Sequence, residues 1–194
     1  EMEFLYGGLP QRVMRADSCP QGKLENSQYH IPSSQKEWID LLKTVLADGN
    51  INSKESILRM YDHTVQGTNV LSPFAGVGMD GPNDAAVIRP LLNKPYGIVV
   101  AHGLNPIFNR IDPYWGSIWA GTEAISNYVA VGGDYKNASL INNYIWPFPD
   151  EESLWSLDRS VDAVVDFMNT LKIPVISGKD SLSSTYRGKN GEII

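Results

Sequence analysis

The hydrophobic and polar positions of residues 112–133 predict a helix with two different faces. The stretch opens with Asp112-Pro113 and closes on Gly132-Gly133, which are helix start and stop signals. At roughly 100° per residue, apolar positions collect on one side, and small and polar positions collect on the other. The apolar side, which we expect to pack in a core, contains Ile118, Thr122, Ile125 and Val129, and the opposite side contains Gly116, Ala120, Glu123 and Asn127.

Glu123 and Asn127 are four residues apart, which places them about 6 Å apart along the helix axis. Two oxygen donors at that spacing can share a hard cation, and small neighbours let a bulky ligand approach the backbone. Asp84, where a loop becomes a predicted strand, would add a third donor. A solvated helix face shows the same periodicity, however. The pattern therefore leaves two interpretations open, an Mg²⁺ site under a nucleotide phosphate chain and an ordinary polar surface.

The first 67 residues predict an extension over residues 1–32 and a helical linker over residues 33–67. Glycine, proline and polar residues fill the extension without a sustained period. In the linker, Ser33 or Ser34 is the expected N-cap of a helix, and Glu37 completes a capping box.

From residue 68 to residue 194, β-prone runs alternate with helical periods, which predicts a single lobe. The linker is predicted to contain two helices, the one capped at Ser33 or Ser34, which ends at Gly49, and a second over 53–67. In the lobe the predicted helices are 112–133 and 154–171, and the predicted strands are 68–74, 84–88, 96–102, 138–146 and 174–177. This order favours an α+β fold with helices on one face of a mixed sheet. Because such a sheet leaves its other face uncovered, we expect a homodimer or a homologous lobe to cover it.

Composition and charge narrow the classes of partner. The chain has 194 residues, 42% of them apolar, so it can bury a core; 16 basic against 22 acidic residues give a net charge of −6. No basic run tracks a nucleic-acid backbone, and no segment is apolar enough to be a membrane span or a signal. Cys19 is the only cysteine, so no internal disulfide is possible. We expect a cytoplasmic protein with neither nucleic acid nor membrane as partner.

Two glycine-rich matches do not carry their usual meaning. The G-x-G-x-x-G run from Gly76 to Gly81 precedes a strand, whereas the dinucleotide fingerprint needs a helix after it. Gly178-Lys179 is followed by Asp180, where a P-loop requires Ser or Thr. A turn of small residues after a strand can still cradle phosphate with its N–H groups, so a phosphate-binding turn and a plain turn both remain possible here.

Histidine and cysteine patterns give no support for zinc or for covalent catalysis. His30, His63 and His102 are widely separated and lack any zinc-ligand spacing. Cys19 lies in a region without helix or strand signals, and we interpret it as an inert thiol.

A series of motifs between Ser53 and Arg187 resembles phosphoribosylformylglycinamidine synthase. In order, they are Ser53-Lys54-Glu55, Tyr61-Asp62-His63, Val65-Gln66-Gly67, Gly81-Pro82-Asn83-Asp84-Ala85-Ala86-Val87, Asn105-Pro106, Asp112-Pro113-Tyr114, Glu123-Ala124 with Asn127, and Ser177-Gly178-Lys179-Asp180-Ser181. That family belongs to the aminoimidazole ribonucleotide synthetase superfamily, whose N-terminal lobe is an α+β sheet that pairs with a second lobe into a barrel. The resemblance implies the same lobe here.

The resemblance also implies an ATP-dependent ligase of purine synthesis. Such an enzyme converts formylglycinamide ribonucleotide to its amidine through an iminophosphate, with ammonia supplied from glutamine by a separate amidotransferase unit. The motifs look like those of the second half of the family. In that half the resemblance assigns Asp84, Glu123 and Asn127 to Mg²⁺ under ATP or ADP and Lys54 to the phosphates, and it places phosphate-binding backbone at Ser177, Gly178, Lys179 and Ser181.

Three departures limit what the resemblance implies. The histidine-bearing motif of the first half is absent, so no catalytic residue is assigned, and no glutaminase nucleophile is present. The sequence ends inside a predicted strand, so we expect a piece that lacks the first half and the C-terminal lobe and has little ligase activity alone. The nucleotide site is then either catalytic or structural. Another superfamily member, such as selenophosphate synthetase or thiamine monophosphate kinase, is a third reading, which the YDHTVQG and SGKDSL stretches oppose.

Overall fold

The structure is a computed structural model that describes residues 2, 7, 8, 13–17 and 30–191. Cys19, most of the predicted extension over 1–32 and residues 192–194, where the sequence suggests a further strand, lie outside the described residues. No helix of the described part is long and apolar enough to cross a bilayer.

Helices and short strands alternate along the chain, which confirms the α+β class. The α-helices are α1 (Gln35–Ala47), α2 (Glu55–Leu58), α3 (Pro106–Ile111), α4 (Pro113–Ala130) and α5 (Glu151–Leu171), and a 3₁₀ turn spans Tyr135–Asn137. The strands are β1 (Asn69–Leu71), β2 (Phe74–Ala75), β3 (Gly81–Pro82), β4 (Ala85–Ile88), β5 (Ile98–Ala101), β6 (Leu140–Ile145) and β7 (Val175–Ser181).

The chain divides into two compact units. One unit contains residues 103–124 and 134–191, together with the described residues among the first 23, and holds the parallel pair β6–β7. The other contains residues 30–102 and 125–133. It holds the antiparallel sheet β1-β4-β5 and the hairpin β2–β3. The sequence suggested one mixed sheet. In the described chain, the parallel pair and the antiparallel strands instead lie in separate small sheets.

One face of the antiparallel sheet is open to solvent. Val70, Ile98 and Val100 are 51–64% exposed, although each is an apolar residue on a strand. Their neighbours Val99 and Ala101 are half-buried, so β5 alternates between an exposed and a partly covered side. This is the burial expected of a sheet with one uncovered face.

Helix α4 begins and ends where the sequence predicts. Asp112 Oδ1 accepts the N–H groups of Tyr114 and Trp115 at 2.9 and 3.0 Å, which satisfies two donors of the first turn. At the other end, Gly132 has a φ of +94° and the Gly133 N–H reaches back to the carbonyl of Tyr128. That left-handed residue closes the helix as glycine C-caps do.

The buried face of α4 differs from the predicted one. Its buried residues are Pro113, Gly116 and Ser117, whereas Thr122 and Val129 of the predicted core face are exposed. The physical reason is close packing against α5. An added Cβ on Gly121 would come within 2.8 Å of the Phe167 ring, so the small residues of α4 form the contact with α5.

The apolar side chains of α4 instead line an open groove of about 430 Å³. It is bordered by Phe108, Ile111, Trp115, Ile118, Trp119 and Thr122. In α5 the centre of the buried face is likewise small, because Ser160 and Ala163 are fully buried while Val161 and Val165 are 38% and 51% exposed.

The linker is less helical than predicted. Ser34 caps α1 by accepting the Glu37 N–H, and the Glu37 carboxylate reaches back to the Ser33 N–H at 2.7 Å, so the predicted capping box is present in a variant form. The predicted helix over 53–67 is wrong in length, since only α2 is helical and turns follow it. Four residues make one turn, which is too short to be stable without partners.

Candidate functional site

The loop between β5 and α3 turns back along α4, and this sets the geometry of the predicted cation ligands. Asn105 is the N-cap of α3, and its side chain accepts the Phe108 N–H at 3.0 Å. Pro106 occupies the first helical position, where its missing N–H leaves no donor unsatisfied. Because α3 is short and Asp112 restarts the chain as α4, residues 102–104 and the middle of α4 come together within the chain.

Glu123 is oriented by the backbone of this loop. Its Oε2 accepts the Leu104 N–H at 3.0 Å, and the side chain is half-buried. Among the described residues no other group donates to this carboxylate, so Oε1 is left available. A carboxylate held by one oxygen and open at the other can ligate a cation without reorganisation.

Asn127, one turn further along α4, is held in the same manner. Its Nδ2 donates to the carbonyl of His102 at 3.2 Å. With the nitrogen of the amide engaged, the oxygen Oδ1 is the group that remains free to accept or to ligate. The polar face of α4 therefore presents one carboxylate oxygen and one amide oxygen, each fixed by a backbone contact.

The ladder between β4 and β5 places Asp84 beside His102. Ala85, the first residue of β4, pairs with Ala101, the last residue of β5. Asp84 precedes the one and His102 follows the other, so both lie at the same end of the antiparallel pair. Asp84 is exposed, and its carboxylate has no hydrogen bond or ion pair within the described chain.

Two of the predicted metal donors, Asp84 and Asn127, lie next to His102. Asp84 neighbours it across the strand ends, and Asn127 binds its carbonyl. His, Cys, Asp and Glu side chains of the described residues form no cluster of three or more suited to a metal. Of the three predicted donors, Asp84 and Glu123 are of these residue types, whereas Asn127 is an amide. The role of the three residues as Mg²⁺ ligands stays a prediction.

Lys54 has oxygen partners in its own loop. Its Nζ donates to the carbonyls of Gly49 and Asn52 at 2.7 and 2.8 Å, and to Asn52 Oδ1 at 3.2 Å. The ammonium is exposed, so these contacts lie at the surface. Phosphate binding by Lys54 stays a prediction. It requires the ammonium to leave the neutral oxygens of Gly49 and Asn52 and to bind charged phosphate oxygens instead.

The predicted turn from Ser177 to Ser181 is wrong as a conformation, because Ser177, Gly178, Lys179 and Ser181 all belong to strand β7. A partner strand is the reason, since β6 runs parallel to it and pairs Ile141 with Ser177 and Ile145 with Ser181.

Gly178 is paired with Asn142 in this ladder. An added Cβ would come within 2.7 Å of Asn142 Oδ1 on the neighbouring strand. Burial raises the pKa of Tyr144, which pairs with Asp180 further along the same ladder, so the tyrosine remains a neutral hydroxyl at physiological pH. A phosphate role for the backbone of this strand stays a prediction.

The residues that sequence reasoning missed are those of the loop, Gly103 and Leu104. Their contribution is a backbone position, which leaves no periodic signal. One clue was present, since a glycine directly after a strand often marks a close approach of two backbones.

Comparison with known proteins agrees with the fold. Residues 82–194 match the family described as AIR synthase related protein, N-terminal domain. The structure of PurLQS from Thermotoga maritima has a TM-score of 0.59 at 20% identity over 95% of this chain and 26% of that chain. T. maritima PurL complexed with ADP has a TM-score of 0.51 at 22% identity over 87% of this chain and 25% of that one.

Curated relatives share more sequence. The phosphoribosylformylglycinamidine synthase subunit PurL of Thermoplasma volcanium is 31% identical over 162 residues, which is 82% of this chain and 21% of the relative. The PurL subunit of Thermoplasma acidophilum is 30% identical over 159 residues, or 81% of this chain and 21% of the relative. The chain spans about a fifth of the length of these relatives. From the family match, the relatives and the common fold together, this chain belongs to the AIR synthase related proteins and carries their N-terminal domain.

Proposed function

We propose that this chain is the nucleotide-binding lobe of an ATP-dependent phosphoribosylformylglycinamidine synthase of purine biosynthesis. The supporting relatives are PurL subunits of that enzyme, and one solved structure of the same fold is described as a complex with ADP. In the full enzyme the reaction would form the amidine from formylglycinamide ribonucleotide with ammonia derived from glutamine. The observation that carries the proposal is the backbone-held pair on α4, Glu123 and Asn127, with Asp84 at the same sheet end as the anchor of Asn127.

The residues present fit a hard divalent cation. Two carboxylates and an amide oxygen are the ligand types that Mg²⁺ takes, and three protein donors leave positions for phosphate oxygens and water. When bound, Mg²⁺ would neutralise charge on the phosphate chain of ATP or ADP. The chain's own contribution is to fix the donors, through the Leu104 N–H on Glu123 and the His102 carbonyl on Asn127.

The phosphate chain would be approached by further groups of this chain. Lys54 supplies an exposed ammonium, and the exposed strand β7 supplies the residues assigned to phosphate, namely Ser177, Gly178, Lys179 and Ser181.

Calorimetric titration with ADP tests the cation site. In the presence of Mg²⁺ we expect binding by the wild-type chain and a loss of affinity of more than about tenfold in Glu123→Ala and in Asp84→Ala. Asp158→Ala, which removes an exposed carboxylate from α5, is the matched control and should bind as the wild type does. Failure of the wild-type chain to bind either Mg·ADP or Mg·ATP, or unchanged affinity in both variants, would show that the proposal is wrong.

Retention of nucleotide distinguishes a structural site from a catalytic one. A structural nucleotide should stay with the protein through gel filtration in nucleotide-free buffer, whereas a catalytic site should exchange with free ADP. In the full-length parent enzyme, Glu123→Ala and Asp84→Ala should be assayed for turnover and for stability: lost turnover with normal folding favours a catalytic site, and lost stability favours a structural one.

Partners follow from the same proposal. PurLQS of T. maritima is a structure whose name includes components beyond PurL, which supports the existence of partner subunits. We propose that these partners include a glutamine amidotransferase unit, and that the first half and the C-terminal lobe of the same enzyme complete the ligase. We also propose that the protein is cytoplasmic and that the isolated chain forms a homodimer through the open sheet face of Val70, Ile98 and Val100. Light scattering that shows a strict monomer at high concentration would contradict the dimer.

A further inference from the structure

We propose that Gly103 is a positioning residue of the cation site, because only glycine lets the loop backbone lie close enough to α4 to fix the Glu123 carboxylate. The inference rests on the proposed function, in which Glu123 ligates a divalent cation. It concerns a residue that has no side chain with which to ligate a cation.

The contact at Gly103 is a contact between two backbones. An added Cβ would overlap the carbonyl oxygen of Ala120 and would lie 2.6 Å from the backbone nitrogen of Ala124 and 3.0 Å from Glu123 Cβ. Real Cβ atoms essentially never approach other heavy atoms to less than 3.0 Å. Two of these three neighbours are helix backbone atoms, which cannot rotate away as the end of a flexible side chain can.

The requirement for glycine is one of space. The φ angle of Gly103 lies outside the left-handed region, so its backbone conformation is open to any residue. Gly76 and Gly132 differ in this respect, since their φ angles are +85° and +94° and nothing lies within 4 Å of an added Cβ. Any side chain at residue 103 must therefore lift the loop from α4.

Lifting the loop would act on Glu123 through the next residue. The Leu104 N–H donates to Glu123 Oε2 at 3.0 Å and is its only donor among the described residues. Relief of the overlap with the Ala120 carbonyl moves the loop by on the order of 1 Å, and a 3.0 Å hydrogen bond stretched by that much lies outside the normal range of distance. The carboxylate would keep its charge and lose its fixed orientation.

The expected consequence is a weaker cation site on a folded protein. Losing the partner that orients a metal ligand typically lowers metal affinity by about 10- to 100-fold. We therefore expect Gly103→Ala to weaken the binding of Mn²⁺, measured by electron paramagnetic resonance in the presence of ADP, by at least about tenfold. Gly7→Ala is the control, because an added Cβ there meets nothing within 4 Å.

Hydrogen exchange of the Leu104 amide reports directly on the hydrogen bond that orients Glu123. We expect Gly103→Ala and Glu123→Ala to accelerate exchange at this one amide, and Glu123→Gln, whose amide oxygen still accepts, to leave it protected. Glu123→Gln should lose Mn²⁺ affinity nonetheless, because it removes the charge. Orientation and charge are thus separated by two variants at one position.

The outcomes are distinct. Wild-type protein that binds no Mn²⁺ in the presence of ADP overturns the proposed function and this inference with it. Wild-type binding combined with unchanged affinity and unchanged Leu104 exchange in Gly103→Ala overturns this inference alone. Should Gly103→Ala fail to fold by circular dichroism, the Glu123 variants decide, since equal protection of Leu104 in Glu123→Ala and in wild type would refute the orienting hydrogen bond.

Discussion

The packing of α5 under α4 makes a quantitative prediction at Met168. This side chain is 4% exposed, and its Cε lies 3.7 Å from the position of a Cβ added to Gly121. Met168→Ala removes roughly three methylene equivalents, worth about 2.4 kcal/mol in lost burial at about 0.8 kcal/mol each. A cavity term adds to this, within a measured range of about 2–5 kcal/mol for Met→Ala in protein cores.

We expect a loss near the middle of that range. Gly121 has no side chain that could move into the space, so the cavity cannot collapse from that side. The expected loss in the free energy of unfolding is therefore about 3–4 kcal/mol. At about 2–4 °C per kcal/mol for a chain of this length, Tm should fall by about 6–16 °C.

Urea unfolding followed by circular dichroism measures the loss, with the slope m compared between variants. Val165→Ala on the same helix is the matched control, because Val165 is 51% exposed and its truncation should cost about 1 kcal/mol or less. Equal destabilisation by Met168→Ala and Val165→Ala would refute the assignment of this buried face.

Three further predictions concern caps and close contacts. The hydrogen bond from the Ser153 N–H holds the pKa of Asp150 below its usual value of 3.8, so the ionised carboxylate stabilises the fold above that pH. In thermal melts, the stability difference between wild type and Asp150→Asn should therefore shrink as pH falls below about 4. Arg59 donates to the carbonyl of Met79 at 2.8 Å and so fastens the 76–80 loop. Arg59→Lys should therefore speed limited proteolysis of this loop while changing the free energy of unfolding by about 1 kcal/mol or less. An unchanged cleavage rate would contradict this prediction. Ser160 is fully buried and donates to the carbonyl of Pro113. Ser160→Val should lower the free energy of unfolding by about 1–3 kcal/mol through overpacking, which is more than Ser160→Ala should cost. If chemical denaturation shows Ser160→Ala to be the more destabilising change, this prediction is wrong.

Local signals explain what the sequence could predict. Helix α4 was located correctly because Asp112 and Gly132 carry capping information in their own side chains and backbone angles. Strands β4 and β5 were found because β-branched and apolar runs are bounded by turn residues. These features depend on neighbours in sequence, which a single chain displays.

The parts that were missed depend on neighbours in space. The buried face of α4 and the centre of that of α5 are formed by small residues such as Ser117 and Ser160, because a close contact between helices requires small side chains, and Met168 is the one large buried side chain among the described residues of α5. The strand conformation of residues 178–181 requires β6 as its partner. Likewise, the polar pair on α4 could be recognised from its spacing, but the backbone groups that hold it at Leu104 and His102 could be seen only in the fold.

The most direct test of the central claim is the position of the cation itself. Crystals of the wild-type chain grown with Mn²⁺ and ADP would locate the metal by its anomalous scattering. We predict one Mn²⁺ within about 2.5 Å of oxygen atoms of Asp84, Glu123 and Asn127, bridging to the phosphates of ADP. ADP bound without a metal at these residues, or Mn²⁺ bound only elsewhere on the chain, would contradict the account.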